Sequence, residues 1–475
     1  MTTSKPSSKR PSGPERPPAP LVLADVGAAW VGPAGARGLV HGVDVVVEDG
    51  RVRAVGPAAP RPGGARVLDA SRWIVLPGMV NAHHHLNQQL TRTLVPAGSI
   101  DDWLAAAYPR WSLVDARTAW AGARAGLAEL VLTGVTTVGD LSYYFPRGHA
   151  DVFDAQVEAA AEIGCRMVAA RGGLRDAGPA VRRRVGDLVD ATIESPDFLL
   201  AELDRVFRGY HDPADDAMVK VAVGLTEPLW DEPDLMRELS AFARSRDLRM
   251  HTHLHPRPSD HEATGGDVVA RLSELGWWGP DVWVAHGTRL DARERAAMAA
   301  DGVALATCPS SNARLATPIA PAWALHREGG VVALGVDGAA SNDGGDFLLE
   351  CRLAWQVQRI AGGPAASGLL PEVVLDWATA GGARALGWPG LGELRPGGLA
   401  DLACFDVSGL DFAGVTDLLA GLVLCGISHR AETVIVGGRV VVEDRHLVSA
   451  DEDEIARTAH RHAKALRDGA REAGL

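Results

Sequence analysis

From Pro77 to about Gly390, short apolar runs alternate with longer stretches rich in Ala, Leu and Arg that repeat at helical period. The runs VTTVGD, CRMVAARGG, VKVAVGLTEP, LRMHTHLHP, VWVAHG, VALATCP and VVALGVDG each have the length of a strand and end in polar or turn residues. With the run before Asn81 they make about eight strands, which predicts a (β/α)8 barrel of the α/β class over 77–390. Outside that span the pattern changes to period two. VDVVVEDGRVRAV turns at Asp49-Gly50, and ETVIVGGRVVVED turns at Gly437-Gly438. Strands at both ends predict a small β-sandwich built from 21–76 and 391–450. A helix is expected over 451–475, and the Pro-, Ser- and charge-rich residues 1–20 read as a disordered tail.

Composition narrows the function. The net charge of −13 argues against a nucleic-acid partner, because such binders concentrate Lys and Arg on one face. No apolar run reaches the roughly 18 residues that a membrane span needs, and the N-terminus lacks the apolar core of a secretory signal. Five widely spaced cysteines with no CxxC pair point to a reduced, cytoplasmic chain and away from a Cys-based zinc site.

Barrel chemistry sits at the C-terminal ends of the strands, so the polar residues ending each run carry the weight. His83 and His85 in NAHHH share one side of a strand and can grip one ion, while His84 points away. His253, His286 and Asp337 end three further runs. Each alone has an ordinary reading, a satisfied core histidine at 251 or 286 or a helix N-cap at Asp337. Together at strand ends they indicate one divalent ion. Imidazole and carboxylate without thiolate suit Zn, with Fe or Mn as alternatives, and a position left for water makes such a site catalytic.

With those residues in place, the sequence resembles the amidohydrolase superfamily in its cytosine/guanine deaminase and triazine hydrolase branch. The nearest likeness is to the 8-oxoguanine deaminases, through PGMVNAHHHLNQQLTR, DWLAAAYPRW, CPSSNARL and GVDGAASND. The resemblance implies hydrolytic deamination of an amino-substituted purine, pterin or triazine-like ring, with metal-bound hydroxide attacking the ring carbon. It implies His83, His85, His253 and Asp337 as ligands, Asp337 also as proton acceptor, and His286 as hydrogen-bond partner of the attacking oxygen. Gln88 and Asn312 would line the substrate pocket. Trp103 and Tyr108, with Trp111, lie in a segment that either closes over a flat ring or packs within a lid or against another subunit. A homodimer is expected from the resemblance alone.

One departure stands out. In this branch a glutamate normally lies three residues after the third histidine, and here Pro256 occupies that place. Glu227, ending the preceding run, and His255 are the candidate replacements for its proton transfer. Glu227 also admits a second metal. Two other functions follow from the departure: hydrolysis of another C–N bond, as in a cyclic amide or amidine, and a metal-bearing scaffold that binds a heterocycle without turning it over.

Overall fold

The computed structural model describes residues 18–33, 35–175, 178–226, 228, 231–254, 267–425 and 430–475. Eight parallel strands follow one another in chain order: Met79–His84 (β1), Val135–Ser142 (β2), Arg166–Arg171 (β3), Val219–Leu225 (β4), Met250–Leu254 (β5), Val282–His286 (β6), Ala304–Thr307 (β7) and Val332–Leu334 (β8). Helices return the chain between them, among them Ala116–Leu132, Asp151–Ile163, Pro196–Tyr210, Pro233–Arg244 and Ala292–Asp301. Their starts are set by side chains that accept the first free amides. Asp115, Ser195 and Asp291 cap three of them, the last in a reciprocal capping box with Glu294.

The ring closes beside β1. Asp337 N–H donates to His83 O at 3.0 Å and Val336 N–H to Asn81 Oδ1 at 3.1 Å. Gly335 makes this approach possible, since a Cβ there would stand 2.8 Å from the His83 Cβ. The result is the (β/α)8 barrel expected from the alternating runs.

Both ends of the chain build the remaining β-structure. One sheet holds Leu21–Val26, Val43–Glu48, Arg51–Gly56 and Arg66–Asp69. The other joins Ala28–Val31, Gly38–Val40 and Trp73–Pro77 to Leu402–Asp406, Thr433–Val436, Arg439–Glu443 and His446–Leu447. Leu21, Leu23, Val45 and Val47 from the first sheet pack on Val75, Leu402, Cys404 and Ile435 from the second. Asp49 and Gly50 have φ of 51° and 74°, and Gly437 and Gly438 have 54° and 77°, the left-handed pairs that tight hairpin turns require. The chain ends in the helix Glu452–Glu472, which meets Ala116–Leu132 through Arg124 and Glu454 at 2.9 Å. Among the described residues no helix is long and apolar enough to cross a membrane.

The sandwich also braces the barrel. Trp73–Pro77 pairs with Leu402–Asp406 and runs through Gly78 straight into β1, and Gly78 N–H donates to Asp401 O at 2.7 Å. The Asp401 carboxylate takes both arms of Arg166, at 2.8 and 3.0 Å, and the Gly437 amide at 2.9 Å. Both charged side chains are only 1% exposed. Breaking a buried pair strands the remaining charge, so Asp401→Ala should lower unfolding stability by about 3–5 kcal/mol. Urea denaturation measures this, and a loss below about 1 kcal/mol would contradict a bracing role for the pair.

Candidate metal centre

The strand ends bring His83, His85, His253, His286 and Asp337 together, all buried. His84 stays apart, as the alternation of side chains on β1 requires, and burial pushes its pKa down to about 3. His83 and His85 Nε2 lie 3.3 and 3.2 Å from Asp337 Oδ1, and His85 Nε2 lies 3.1 Å from His253 Nε2. His83 with His85 and Asp337, and His83 with His253 and His286, each offer ligand atoms within 4.8 Å of one another.

The protons of these rings can be placed from their outer partners. A carbonyl oxygen only accepts, so His85 donates its Nδ1–H to Leu141 O at 2.8 Å and His253 donates its own to Thr226 O at 2.8 Å. His251 Nδ1 donates to Trp283 O at 2.8 Å, which leaves its Nε2 to accept from His83 Nδ1 at 2.7 Å. Burial holds all four pKa values below the ordinary histidine range, so the rings are neutral and carry one proton each. That proton is already committed at Nδ1. The Nε2 atoms of His83, His85 and His253 are therefore bare lone pairs, and His83 Nε2 has no hydrogen-bond partner. Two bare nitrogens at 3.1 Å repel unless a cation lies between them. The edge of a tetrahedron with bonds of about 2.0–2.1 Å is about 3.3 Å, so the donor set fits a divalent ion.

Asp337 is held for ionisation. Oδ2 accepts from Ser311 Oγ at 2.6 Å and Ser341 Oγ at 2.9 Å, and Oδ1 from Gly338 N at 2.7 Å. Gly338, not Asp337, is the N-cap of the short helix that follows. Asp337 and His286 both have left-handed backbone, with φ of 63° and 73°, a strained conformation that aims each side chain inward from its strand end. His286 Nδ1 pairs with Asn312 Oδ1 at 3.0 Å, and its Nε2 lies 3.9 Å from Asp337 Oδ2.

A cluster of aromatic rings borders this centre through Tyr143. Trp103, Tyr108 and Trp111 lie buried on the helix Ile100–Trp111, and Trp103 Nε1 donates to Ala340 O at 2.9 Å in the turn after Asp337. Tyr143, from the run after β2, sets its ring 4.8 Å from that of His85 and accepts from Gln88 Nε2 at 3.2 Å. Gln88 Oε1 is buried without a partner. It lies so near Gly338 that a Cβ there would approach within 1.9 Å. Nearby in the sequence, Arg92 pairs with Glu129 and Asp343 with Arg314. Glu227 and His255, and Pro256 with them, lie outside the described residues. Ser311 and the role of His251 were not read from the sequence, whereas the segment around Tyr143 was expected to contribute to selectivity. The His-x-His spacing at 251 and 253, matching that at 83 and 85, was the available signal.

Comparison with known proteins agrees with the resemblance carried by the motifs. The amidohydrolase family profile matches residues 74–441. The chain is 38% identical over 418 residues to 8-oxoguanine deaminase of Pseudomonas aeruginosa, covering 86% of this chain and 91% of the relative. It is 34% identical over 453 residues to isoxanthopterin deaminase from an unknown prokaryotic organism, covering 90% and 92%. The solved structure of atrazine chlorohydrolase from Arthrobacter aurescens complexed with zinc is 30% identical, with a TM-score of 0.87 over 93% of this chain and 100% of that one.

Asp140, on β2, anchors the turn after His85 by accepting Leu86 N–H at 2.7 Å. Its second oxygen faces Ser142 Oγ at 3.1 Å, and that hydroxyl also contacts Gln156 Oε1. Burial pushes the Asp140 pKa to about 7, against the pull of the Leu86 and Ser142 hydrogen bonds. A folded-state value above the unfolded one means that the native state holds a proton which the unfolded chain releases, so this group's contribution falls as pH rises from about 4 to about 7. Asp140→Asn should therefore gain on the parent by up to about 1.4 kcal/mol per pH unit between pH 5 and 7. Unfolding curves at several pH values check this, and a difference that does not change with pH contradicts it.

Proposed function

The chain belongs to the amidohydrolase family, and on that premise we propose that it is a metal-dependent aminohydrolase that expels ammonia from an amino-substituted purine, pterin or triazine-like ring. As an amidohydrolase it acts on carbon–nitrogen bonds other than peptide bonds. The observation that carries the proposal is the cluster of three bare Nε2 lone pairs, of His83, His85 and His253, with those of His83 and His85 facing Asp337. His83, His85, His253 and Asp337 would hold one divalent ion. Zinc is favoured by the nitrogen and oxygen donors without thiolate and by its presence in similar solved structures. When bound, such an ion polarises the substrate and lowers the pKa of a coordinated water towards about 7.

The chain's own residues do the rest. Asp337, ionised and pinned by two serine hydroxyls, is placed to take a proton from the attacking water at a carboxylate oxygen. His286, with its ring fixed by Asn312, presents Nε2 beside that carboxylate and steadies the same water. Gln88 Oε1 offers a free acceptor to an N–H at the ring edge, and Trp103 and Tyr108 supply flat apolar surface that excludes bulk water. Glu227 or His255 would return the proton to the leaving amine. The described cysteines are all unpaired and four are buried, which supports a reduced cytoplasmic setting. The working assembly is a homodimer, on family resemblance.

Pro256 supports a second reading, hydrolysis of another C–N bond in a cyclic amide or amidine, because proline has no proton to give. An ammonia-release screen over amino-purines, pterins and triazines separates the two. Turnover with ammonia on at least one ring is expected. Hydrolysis of cyclic amides without ammonia from any amino-heterocycle would favour the second reading, and stoichiometric binding without either reaction would leave only a heterocycle-binding scaffold. On a deaminated substrate, Glu227→Gln or His255→Ala should cut kcat about 100-fold or more for whichever residue carries the proton. Full rates in both variants would remove them from that role.

A further inference from the structure

The interior of the barrel below the metal centre holds a polar group that the reaction does not use. His251 is completely buried on β5, two residues before His253 on the same side of the strand. Its ring lies flat against that of Trp283, with centroids 4.2 Å apart and planes 7° from parallel. Its Nδ1 donates to the carbonyl of that same Trp283, and its Nε2 meets His83 Nδ1. The indole of Trp283 then reaches across the barrel, and its Nε1–H donates at 3.0 Å to the carbonyl of Ala82, the residue before His83. One tryptophan thus fixes the plane of the His251 ring, its tautomer and the backbone beside the ligand.

Resting on the metal reading above, we propose that His251 is a positioning residue for the metal centre, dictating which nitrogen of His83 faces the cation. A neutral imidazole has one proton and two nitrogens, and a strand position fixes neither which nitrogen carries it nor the ring's rotation. The carbonyl of Trp283 takes the Nδ1 proton of His251, so His251 Nε2 can only accept. His83 must then place its own proton on Nδ1, which turns its Nε2 lone pair towards His85, His253 and Asp337. The acceptor also raises the basicity of that lone pair, as outer partners of ligating histidines do. His85 and His253 obtain the same control from the backbone carbonyls of Leu141 and Thr226. His83, the penultimate residue of β1, has a side chain in that place instead.

The test compares His251→Phe, which keeps a flat ring against Trp283 without an acceptor, with His251→Gln, whose amide can accept from His83 and donate to Trp283 O. Affinity for Zn(II) and Co(II) is measured by chelator competition, together with the Co(II) absorption spectrum and the melting temperature of the metal-free proteins. The Phe variant should bind about 10- to 100-fold more weakly and shift the Co(II) bands. The Gln variant should recover most of the affinity, and the metal-free Phe variant should melt no lower than the parent. Parental affinity in the Phe variant, or equal weakening in both, overturns the proposal while leaving the metal reading intact. A parent protein that binds neither metal overturns both. A measurement that needs no variant is the NMR spectrum of 15N-histidine-labelled, zinc-loaded protein. A scalar coupling between His83 Nδ1 and His251 Nε2 is expected, and a His83 ring protonated at Nε2 overturns the assignment.

Discussion

Everything at this centre follows from where four buried imidazoles put their protons. Each gives its single N–H to an acceptor behind it, to Leu141 O, Thr226 O, Trp283 O or the neighbouring ring of His251. What remains at the front is a cluster of lone pairs and a carboxylate with nothing to share among them. Such an arrangement is unfavourable without positive charge, because lone pairs removed from water repel and desolvation is uncompensated. A divalent cation converts the same geometry into a stable one.

The rest of the fold can be understood as support for that arrangement. The sandwich strand Trp73–Pro77 runs into β1, and Asp401 pins both Gly78 and Arg166 at the opposite end of the barrel from the metal ligands. Gly335 lets the last strand approach the first closely enough for Asp337 to bond to His83 O. Left-handed backbone at His286 and Asp337 stores strain of about 1–3 kcal/mol each, which the packed barrel offsets in order to aim two functional groups inward. The aromatic helix Ile100–Trp111 is tied by Trp103 to the turn that follows Asp337, so that helix and the carboxylate share one anchor.

Much of this was legible in the chain because strand period and barrel topology are strong constraints. Alternation on a strand put His83 and His85 on one side, and the rule that barrel chemistry gathers at C-terminal strand ends singled out His253, His286 and Asp337. The same alternation could not separate His251 from His253, since both face the interior and only depth along the strand distinguishes a ligand from its support. The acceptors at Leu141 and Thr226 left no trace, because a backbone carbonyl is the same in every residue. Ser311 was hidden inside CPSSN for a related reason: its partner is 26 residues away, and only the closed barrel brings Asp337 to it. The aromatic segment was read as closing over a flat ring or as packing within a lid or against another subunit, and its one link to the turn after Asp337, from Trp103 Nε1 to Ala340 O, could not be seen in the sequence because the two lie 237 residues apart.

The most direct test of the central claim is a crystal structure of protein purified without added metal or chelator, with diffraction recorded on both sides of the zinc absorption edge. The expected result is a single anomalous peak at bonding distance, about 2.0–2.2 Å, from the Nε2 atoms of His83, His85 and His253 and from a carboxylate oxygen of Asp337. A difference map without a peak at that point for zinc, iron or manganese, with the three Nε2 atoms instead protonated or bonded to water, would contradict it.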